Sequence, residues 1–306
     1  MNKPRVSIIT PSYNQGEFIE ETINSVISQT YENIEYLIID GASTDSTLKV
    51  IAKYSSSISK VISEKDAGQS NAINKGIRLA TGDLITWINS DDLLEPQAIE
   101  QAVSTLIEHP EIDFVYGDVK LIDEDSNQIG LLKGRQIRTP DVFFNLDLPI
   151  PQQGSMWRRR VTESVGLMDE QWHYVLDREF FLRICLSHNV KYINRTFGSF
   201  RQHGQSKSVT MKEAWIMELP SMYEGMVKKS AWRLTGKDQI SKIVLASAYI
   251  HAAYLALYAG KIGVGITNLL RACRTHPLIM LHGHIYSKPL DKLKAYFSRK
   301  LENDRR

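Results

Sequence analysis

The chain has 306 residues, 42% hydrophobic and 24% charged, which is ordinary globular composition with enough length for one large domain and an appendage. No basic-then-apolar leader opens it, since the apolar run at 6–10 is too short, and no uninterrupted apolar stretch reaches the ~20 residues of a membrane span. The net charge of +2 hides an asymmetry: residues 1–206 carry 20 Lys/Arg against 28 Asp/Glu, whereas residues 207–306 carry 17 against 7. A cationic last third suits an anionic partner surface, and with no nucleic-acid motif beside it a membrane suits it better than nucleic acid. Cys185 and Cys273 both sit in apolar helical patterns, so core filling and a reduced, cytoplasmic setting are expected.

In chain order, the first strand is expected over 6–10, broken by Pro11-Ser12-Tyr13-Asn14. A helix over 18–29 follows, with Ile19, Ile23, Val26 and Ile27 on one face. A second strand over 34–39 ends at Asp40-Gly41-Ala42-Ser43-Thr44-Asp45, where Asp45 or Ser43 can cap a helix over 47–54. A third strand over 60–63 ends at Glu64-Lys65-Asp66-Ala67-Gly68 and leads into a helix over 69–80. The fourth strand, 84–88, ends abruptly in Asn89-Ser90-Asp91-Asp92. Two adjacent carboxylates repel, so solvent, a basic side chain or a hard divalent cation must offset them. A solvated turn whose acids start the next helix, with Pro96 in its first turn, is the competing explanation.

Strand and helix alternate here with short links, which argues for a doubly wound, mostly parallel, Rossmann-like α/β sheet. Ligands bind such sheets at the C-terminal strand ends, and all four polar clusters fall on that edge. Neither a G-x-G-x-x-G fingerprint nor a P-loop follows the first strand.

Further on, a helix is expected to about 109, strands over 114–116 and 119–122, and a turn at Asp125-Ser126-Asn127. Residues 135–151 read as an irregular loop, 151–157 as a polar turn entering a short strand, and Arg158-Arg159-Arg160 as a solvated helix start. Asp177 reads locally as the N-cap of an apolar helix, with strands over 190–193 and 196–200 after it. From 212 the pattern is helical, with Gly260, Gly263 and Gly265 breaking or loosening it and an apolar patch at 278–281. A helical appendage over 207–306, joined to a domain over 1–206, is expected, and a membrane-surface role is compatible with its charge.

Taken together, Val6-Ser7-Ile8-Ile9-Thr10-Pro11-Ser12-Tyr13-Asn14, Asp40-Gly41-Ala42-Ser43-Thr44-Asp45, Asp66-Ala67-Gly68 with Asn71, Ala72, Asn74 and Gly76, Asn89-Ser90-Asp91-Asp92, and Asp177-Arg178-Glu179 resemble the family 2 inverting glycosyltransferases, which have the GT-A fold. The resemblance covers about the first two-thirds of the chain. It implies transfer of a sugar from a nucleotide-sugar, UDP-linked, to an acceptor hydroxyl on a glycan or lipid-linked molecule in cell-surface polysaccharide synthesis, at the inner face of a bacterial membrane. It implies that Thr10, Pro11 and Tyr13 line the nucleotide pocket, that Asp40 accepts the uracil N3–H, and that Asp66, Asn71, Asn89 and Ser90 complete the nucleotide side. Asp91 would ligate Mn²⁺ or Mg²⁺, with His203 as a further ligand. Asp177 would be the general base, and Gln152, Gln153, Arg178 and Glu179 would meet donor or acceptor sugar. One departure from the family pattern is Asn89, which stands where the first acid of the D-x-D motif belongs and brings no charge to a cation.

Two other functions share parts of this pattern. A sugar nucleotidylyltransferase uses a related sheet, but wants a glycine-rich basic loop after the first strand, which Thr10-Pro11-Ser12-Tyr13-Asn14 does not supply. A non-catalytic nucleotide-sugar binder would have no need of both Asp91 and Asp177.

Overall fold

The structure is a computed structural model that describes residues 3–137, 148–204, 206, 212–228 and 238–278. Most of the expected loop over 135–151, and three residues of the apolar patch at 278–281, lie outside the described residues. The chain divides into two compact units, one formed by Met1–Arg138 with Pro149–Val209 and the other by the remainder.

In the first unit, β1 (Val6–Ser12), β2 (Ile34–Asp40), β3 (Lys60–Ser63) and β4 (Leu84–Trp87) pair in parallel in the order β3-β2-β1-β4. Helices α1 (Ile19–Ile27), α2 (Thr47–Lys53) and α3 (Gln69–Leu79) make the connections. Every residue of β1 and β4 is buried, as expected of strands covered on both faces. β1 runs through Pro11, where a break was expected. Ile9 accepts the Ile88 N–H on the β4 side, and Pro11, two residues on, faces that side beyond the last β4 pair. Its missing N–H therefore costs the ladder nothing.

The second half of the sheet is mixed. It contains β5 (Leu93–Leu94), then α4 (Ala98–Glu108), β6 (Phe114–Ile122), β7 (Gln128–Leu132), β8 (Ser155–Arg158), α5 (Arg159–Val165), α6 (Leu176–Ser187) and β9 (Val190–Arg201). The full order is β3-β2-β1-β4-β8-β6-β9-β5, with β7 on β6. β8 runs antiparallel to both β4 and β6, and β9 lies parallel to β6. The two strands expected over 114–122 are one. Gly117 carries it across a register shift where an added Cβ would stand 2.5 Å from the Arg195 carbonyl oxygen. The strands expected over 190–200 are likewise one, and neither β5 nor β7 was foreseen.

An aromatic cluster fixes α6 to the sheet. Trp87 and Trp157 meet at 5.5 Å between centroids, Trp157 and Phe180 at 5.5 Å, and Phe114 and Phe181 at 5.2 Å. All five rings are fully buried, each burial contributing about 1.5–3 kcal/mol before entropy is counted.

The arginine run does start a helix, α5, with Arg160 exposed as expected, but Arg158 and Arg159 are turned inward. Arg158 donates to the carbonyls of Ile112 and Leu106, Arg159 to those of Ala80 and Gly82, and Arg160 pairs with Asp113 at 2.5 Å. The Arg158 and Arg159 guanidiniums thus serve backbone acceptors near the ends of helices and strands.

The second unit contains α7 (Lys212–Lys228), α8 (Asp238–Tyr258) and α9 (Ile262–Thr275). Gly260, at φ +74°, ends α8, as a left-handed residue does. Gly263 and Gly265 do not break the chain but lie inside α9. A Cβ on Gly265 would stand 2.6 Å from the Leu257 side chain, so the glycine permits close approach of α9 to α8. Among the described residues no helix is long and apolar enough to cross a membrane.

Candidate active site

The C-terminal ends of β1–β4 form one edge, and their loops are tied to one another. Asn14 N–H donates to Ser43 Oγ (2.8 Å), Thr44 N–H to Asn14 Oδ1 (2.9 Å), and Gly41 N–H to the Ser12 carbonyl (2.8 Å). Asn14 and Ala42 hold positive φ values of 51° and 63°, strain that such mutual ties can sustain. Asp45 takes the Thr47 N–H at the start of α2 (3.0 Å), whereas Ser43 is not a cap and instead serves Asp40.

Asp40 is fully buried. Its oxygens accept from Ser43 N–H (2.9 Å), Ser43 Oγ (2.5 Å) and Ser63 Oγ (2.6 Å), so the carboxylate is turned into the protein as the brace of the β2–α2 loop. That is not the open acceptor expected for a uracil N3–H. The more open carboxylate beside it is Asp66. A Cβ built on Gly41 would stand 2.7 Å from Asp66 Oδ2 and 3.3 Å from Tyr13 Cδ2. Gly41 therefore keeps a gap between the exposed Tyr13 ring and the Asp66 carboxylate, whose other oxygen accepts the Gly68 N–H at 2.8 Å. Thr10 is buried, its hydroxyl 3.1 Å from Tyr36, so its side chain is turned away from the edge, and Pro11 is buried in the strand.

Past β4, Asn89 accepts from Gln69 (2.8 Å) and donates to Asp92 (2.9 Å) and Gln152 (3.1 Å). Ser90 is buried. Asp92 is fully buried, and burial first, then repulsion from Asp91, pushes its carboxyl well above the usual carboxylate range. Gln153, the Arg201 N–H and Asn89 donate to it. Gln152 donates to the Trp87 carbonyl at 2.8 Å. Both glutamines are thus struts of this loop, not the free sugar contacts expected of them.

Asp91 is the acid left partly open. Its Oδ2 lies 3.1 Å from His203 Nε2, and the imidazole stacks on Phe18 with centroids 4.5 Å apart. Behind them Arg201, fully buried, donates to the carbonyls of Asp91 and Glu124 and pairs with Glu21 at 2.8 Å. An oxygen and a nitrogen at this separation suit neighbouring positions around one divalent cation. Among the described residues no cluster of three or more His, Cys, Asp or Glu side chains is placed to hold a metal. These two donors would be the protein's share, and the remaining ligands would come from phosphate and water.

Helix α3 carries the chain that leads to Asp177. Ser70 donates to the Trp172 carbonyl (3.0 Å), Asn71 to Glu170 (2.8 Å), and Asn74 to the Met168 carbonyl (2.9 Å) and Glu170 (2.8 Å), while Met168 N–H returns to Asn74 Oδ1 (3.0 Å). Asn71, expected at the nucleotide, is therefore a staple of the 168–172 loop. On the far side of Asp177, α6 is packed through Phe180 and Phe181 onto Trp87, at the end of β4. The backbone on both sides of Asp177 is thus fixed to the ligand edge. Asp177 is the second residue of α6, with Val175 at the N-cap position that local reading gave to Asp177. Burial pushes its carboxyl above the usual carboxylate range, against the Arg178 N–H it accepts (2.7 Å) and the nearby Arg178 charge. Glu179 is buried and chelated by Arg183 at 2.8–3.0 Å, so it anchors α6 and does not meet a sugar.

The residues not singled out from sequence are Glu170 and Arg201. Their signal was faint: Arg201 ends a strand that already carries Lys191 and Arg195, and Asn71 and Asn74, three apart on one helix face, announce a partner without naming Glu170.

The family profile described as Glycosyl transferase family 2 matches residues 7–166. An uncharacterized glycosyltransferase of Haemophilus influenzae is 33% identical over 224 residues, 68% of each chain. Among solved structures, TarS 1–349 of S. aureus in complex with UDP-GlcNAc superposes with a TM-score of 0.70 at 15% identity, over 94% of this chain and 88% of that one. The mannosyltransferase PcManGT of Pyrobaculum calidifontis, in complex with GDP-Man and Mn²⁺, gives 0.57 at 15% identity, over 96% and 88%. With its GT-A architecture and this match over half its length, the chain belongs to glycosyl transferase family 2 and is a glycosyltransferase.

Proposed function

We propose that this glycosyltransferase uses a UDP-sugar and transfers the sugar, with inversion, to a hydroxyl of a glycan or lipid-linked acceptor in cell-surface polysaccharide synthesis. The observation that carries the reading is the anchoring of both flanks of Asp177 to the sheet edge that holds Asp91 and His203. A nucleobase enters between Tyr13, Gly41 and Asp66, and Asp66 Oδ2, more open than the braced Asp40 carboxylate, takes the base N–H. Asp91 and His203 would hold a divalent cation, which when bound supplies positive charge to the leaving diphosphate. The PcManGT complex, which contains GDP-Man and Mn²⁺, supports dependence on a divalent cation. Asp177 takes the proton from the acceptor hydroxyl as its oxygen attacks the anomeric carbon opposite the diphosphate, a single displacement. The raised affinity of its carboxyl for a proton suits that task. Residues 1–206 are the catalytic domain in this reading. The cationic 207–306 segment rests at the inner face of the membrane, where a lipid-linked acceptor is met.

The test is nucleotide release from UDP- and GDP-sugars with Mn²⁺, with the anomeric configuration of the product read by NMR. Inverted product from a UDP-sugar is expected, together with loss of the Mn²⁺ effect on UDP affinity in Asp91→Ala. Pyrophosphate as product, or binding without turnover across acceptors, overturns the reading. Turnover of GDP-sugars alone refutes the uracil assignment.

A further inference from the structure

Helix α9 buries its small and polar side. Gly265, Asn268 and Ala272 are the buried residues, while Ile262, Ile266 and Leu270 stand 64%, 49% and 54% exposed. At four-residue spacing these three form one stripe, an inversion of the usual amphipathic arrangement. At the same spacing the next position is exposed Arg274, whereas Arg271, about 100° round the helix from Leu270, lays its guanidinium over the Tyr249 ring at 5.9 Å. The surrounding sequence is as one-sided. From residue 239 to residue 290 there is no Asp or Glu, against Lys242, Lys261, Arg271, Arg274 and Lys288.

We infer that this face of α9 docks in the plane of an anionic phospholipid bilayer, the apolar stripe entering the acyl boundary and Arg274, at its end, meeting a headgroup phosphate. An exposed apolar stripe wants a cover, and charge selects which. A second copy of the same face would bring Arg274 and its cationic surroundings against themselves, with no Asp or Glu between residues 239 and 290 to offset them. Residues 279–306 carry 7 Lys/Arg against 3 Asp/Glu, so laying them on the stripe also adds like charge. Anionic headgroups are complementary. The inference deepens the proposed membrane contact and names the surface and lipid chemistry that make it.

The test is flotation of the full chain with phosphatidylcholine vesicles, with and without phosphatidylglycerol, and no sugar nucleotide present. Binding on the order of tenfold stronger with phosphatidylglycerol is expected, and lost at high salt. The double variant Ile266→Asp/Leu270→Asp should stay with the soluble fraction. Arg274→Gln should weaken binding about fivefold and keep the apolar stripe. Unchanged helical circular dichroism, and an unchanged thermal shift with UDP, establish that each variant is folded. Equal binding to both vesicles, wild-type binding by both variants, or a dimer in solution that the aspartates dissolve without any vesicle binding, overturns the inference. Because sugar transfer plays no part in the assay, failure to float leaves the transferase reading intact, and failure of transfer leaves the docking intact.

Discussion

Strands β1 to β4 pair in parallel, each joined to the next by a helix and short links, whereas β5 to β9 mix antiparallel and parallel pairs and, apart from the β6–β7 hairpin, take partners far off in sequence. The first half holds the Tyr13–Gly41–Asp66 gap and the second holds His203 and Asp177, while Asp91 lies in the loop between them. In the proposed reaction the first half grips the nucleotide and the second serves the acceptor and the bond that breaks. Damage to each half should therefore register in a different kinetic constant, affinity for the first and turnover for the second.

The largest effect is expected from Asp177→Asn. Loss of a general base costs about 10²- to 10⁴-fold in kcat, with UDP affinity unchanged by calorimetry. The acid limb of the wild-type pH–rate profile should fall above the usual carboxylate range, since burial raises this carboxyl. The stability consequence runs in the opposite direction. Between the ordinary carboxylate value and the raised one, the folded state holds a proton that the unfolded chain lacks. Raising the pH through that window costs stability, because the folded state must then carry a charge that its half-buried surroundings disfavour. Asp177→Asn, uncharged at every pH, should melt above the wild type at neutral pH and lose that advantage in acid. A variant that turns over normally, or melts lower at neutral pH, refutes the assignment.

Asn74→Ala tests the join between the halves. Asn74 is buried on α3, in the parallel half, and its three bonds to Met168 and Glu170 hold the loop before α6. The substitution leaves the Met168 N–H and carbonyl without those partners, at about 1–3 kcal/mol in a denaturant titration. If the staple also positions Asp177, kcat should fall by more than UDP affinity does. Equal losses in both, following stability alone, would leave Asn74 a purely structural residue.

The same contrast explains what could be read in advance. β1 to β4 were legible because each is a short apolar run bounded by a helix whose apolar face repeats at 3.6 residues, and β1, β2 and β3 are neighbours in the sheet as in sequence, with β4 crossing over to pair with β1. β5, with two residues, exists only because Leu93 and Leu94 pair with Ser199 and Gly198, over a hundred residues away, and no local pattern announces that. Asp91, His203 and Asp177 were legible as residues at element ends, and the structure leaves Asp91 partly open with His203 beside it. The inward turns of Asp40, Gln152, Gln153 and Glu179 were not, because a motif fixes residue type while the direction of a side chain is set by partners such as Ser63, Trp87, Asp92 and Arg183.

The smallest expected effect is the sharpest test of the nucleotide half. Gly41→Ala adds one methyl group where Asp66 Oδ2 would be 2.7 Å and Tyr13 Cδ2 3.3 Å away. Asp66 and Tyr13 are both partly or largely exposed, so they can shift to admit it and the melting temperature should change little. The shift closes the gap, and a planar base then has less room. An increase of about tenfold in the UDP dissociation constant is expected, ~1.4 kcal/mol, with kcat at saturating donor preserved. Wild-type affinity in Gly41→Ala would put the base elsewhere on the edge. A loss of kcat without a loss of affinity would mean that the two halves of the sheet do not divide the work as their construction suggests.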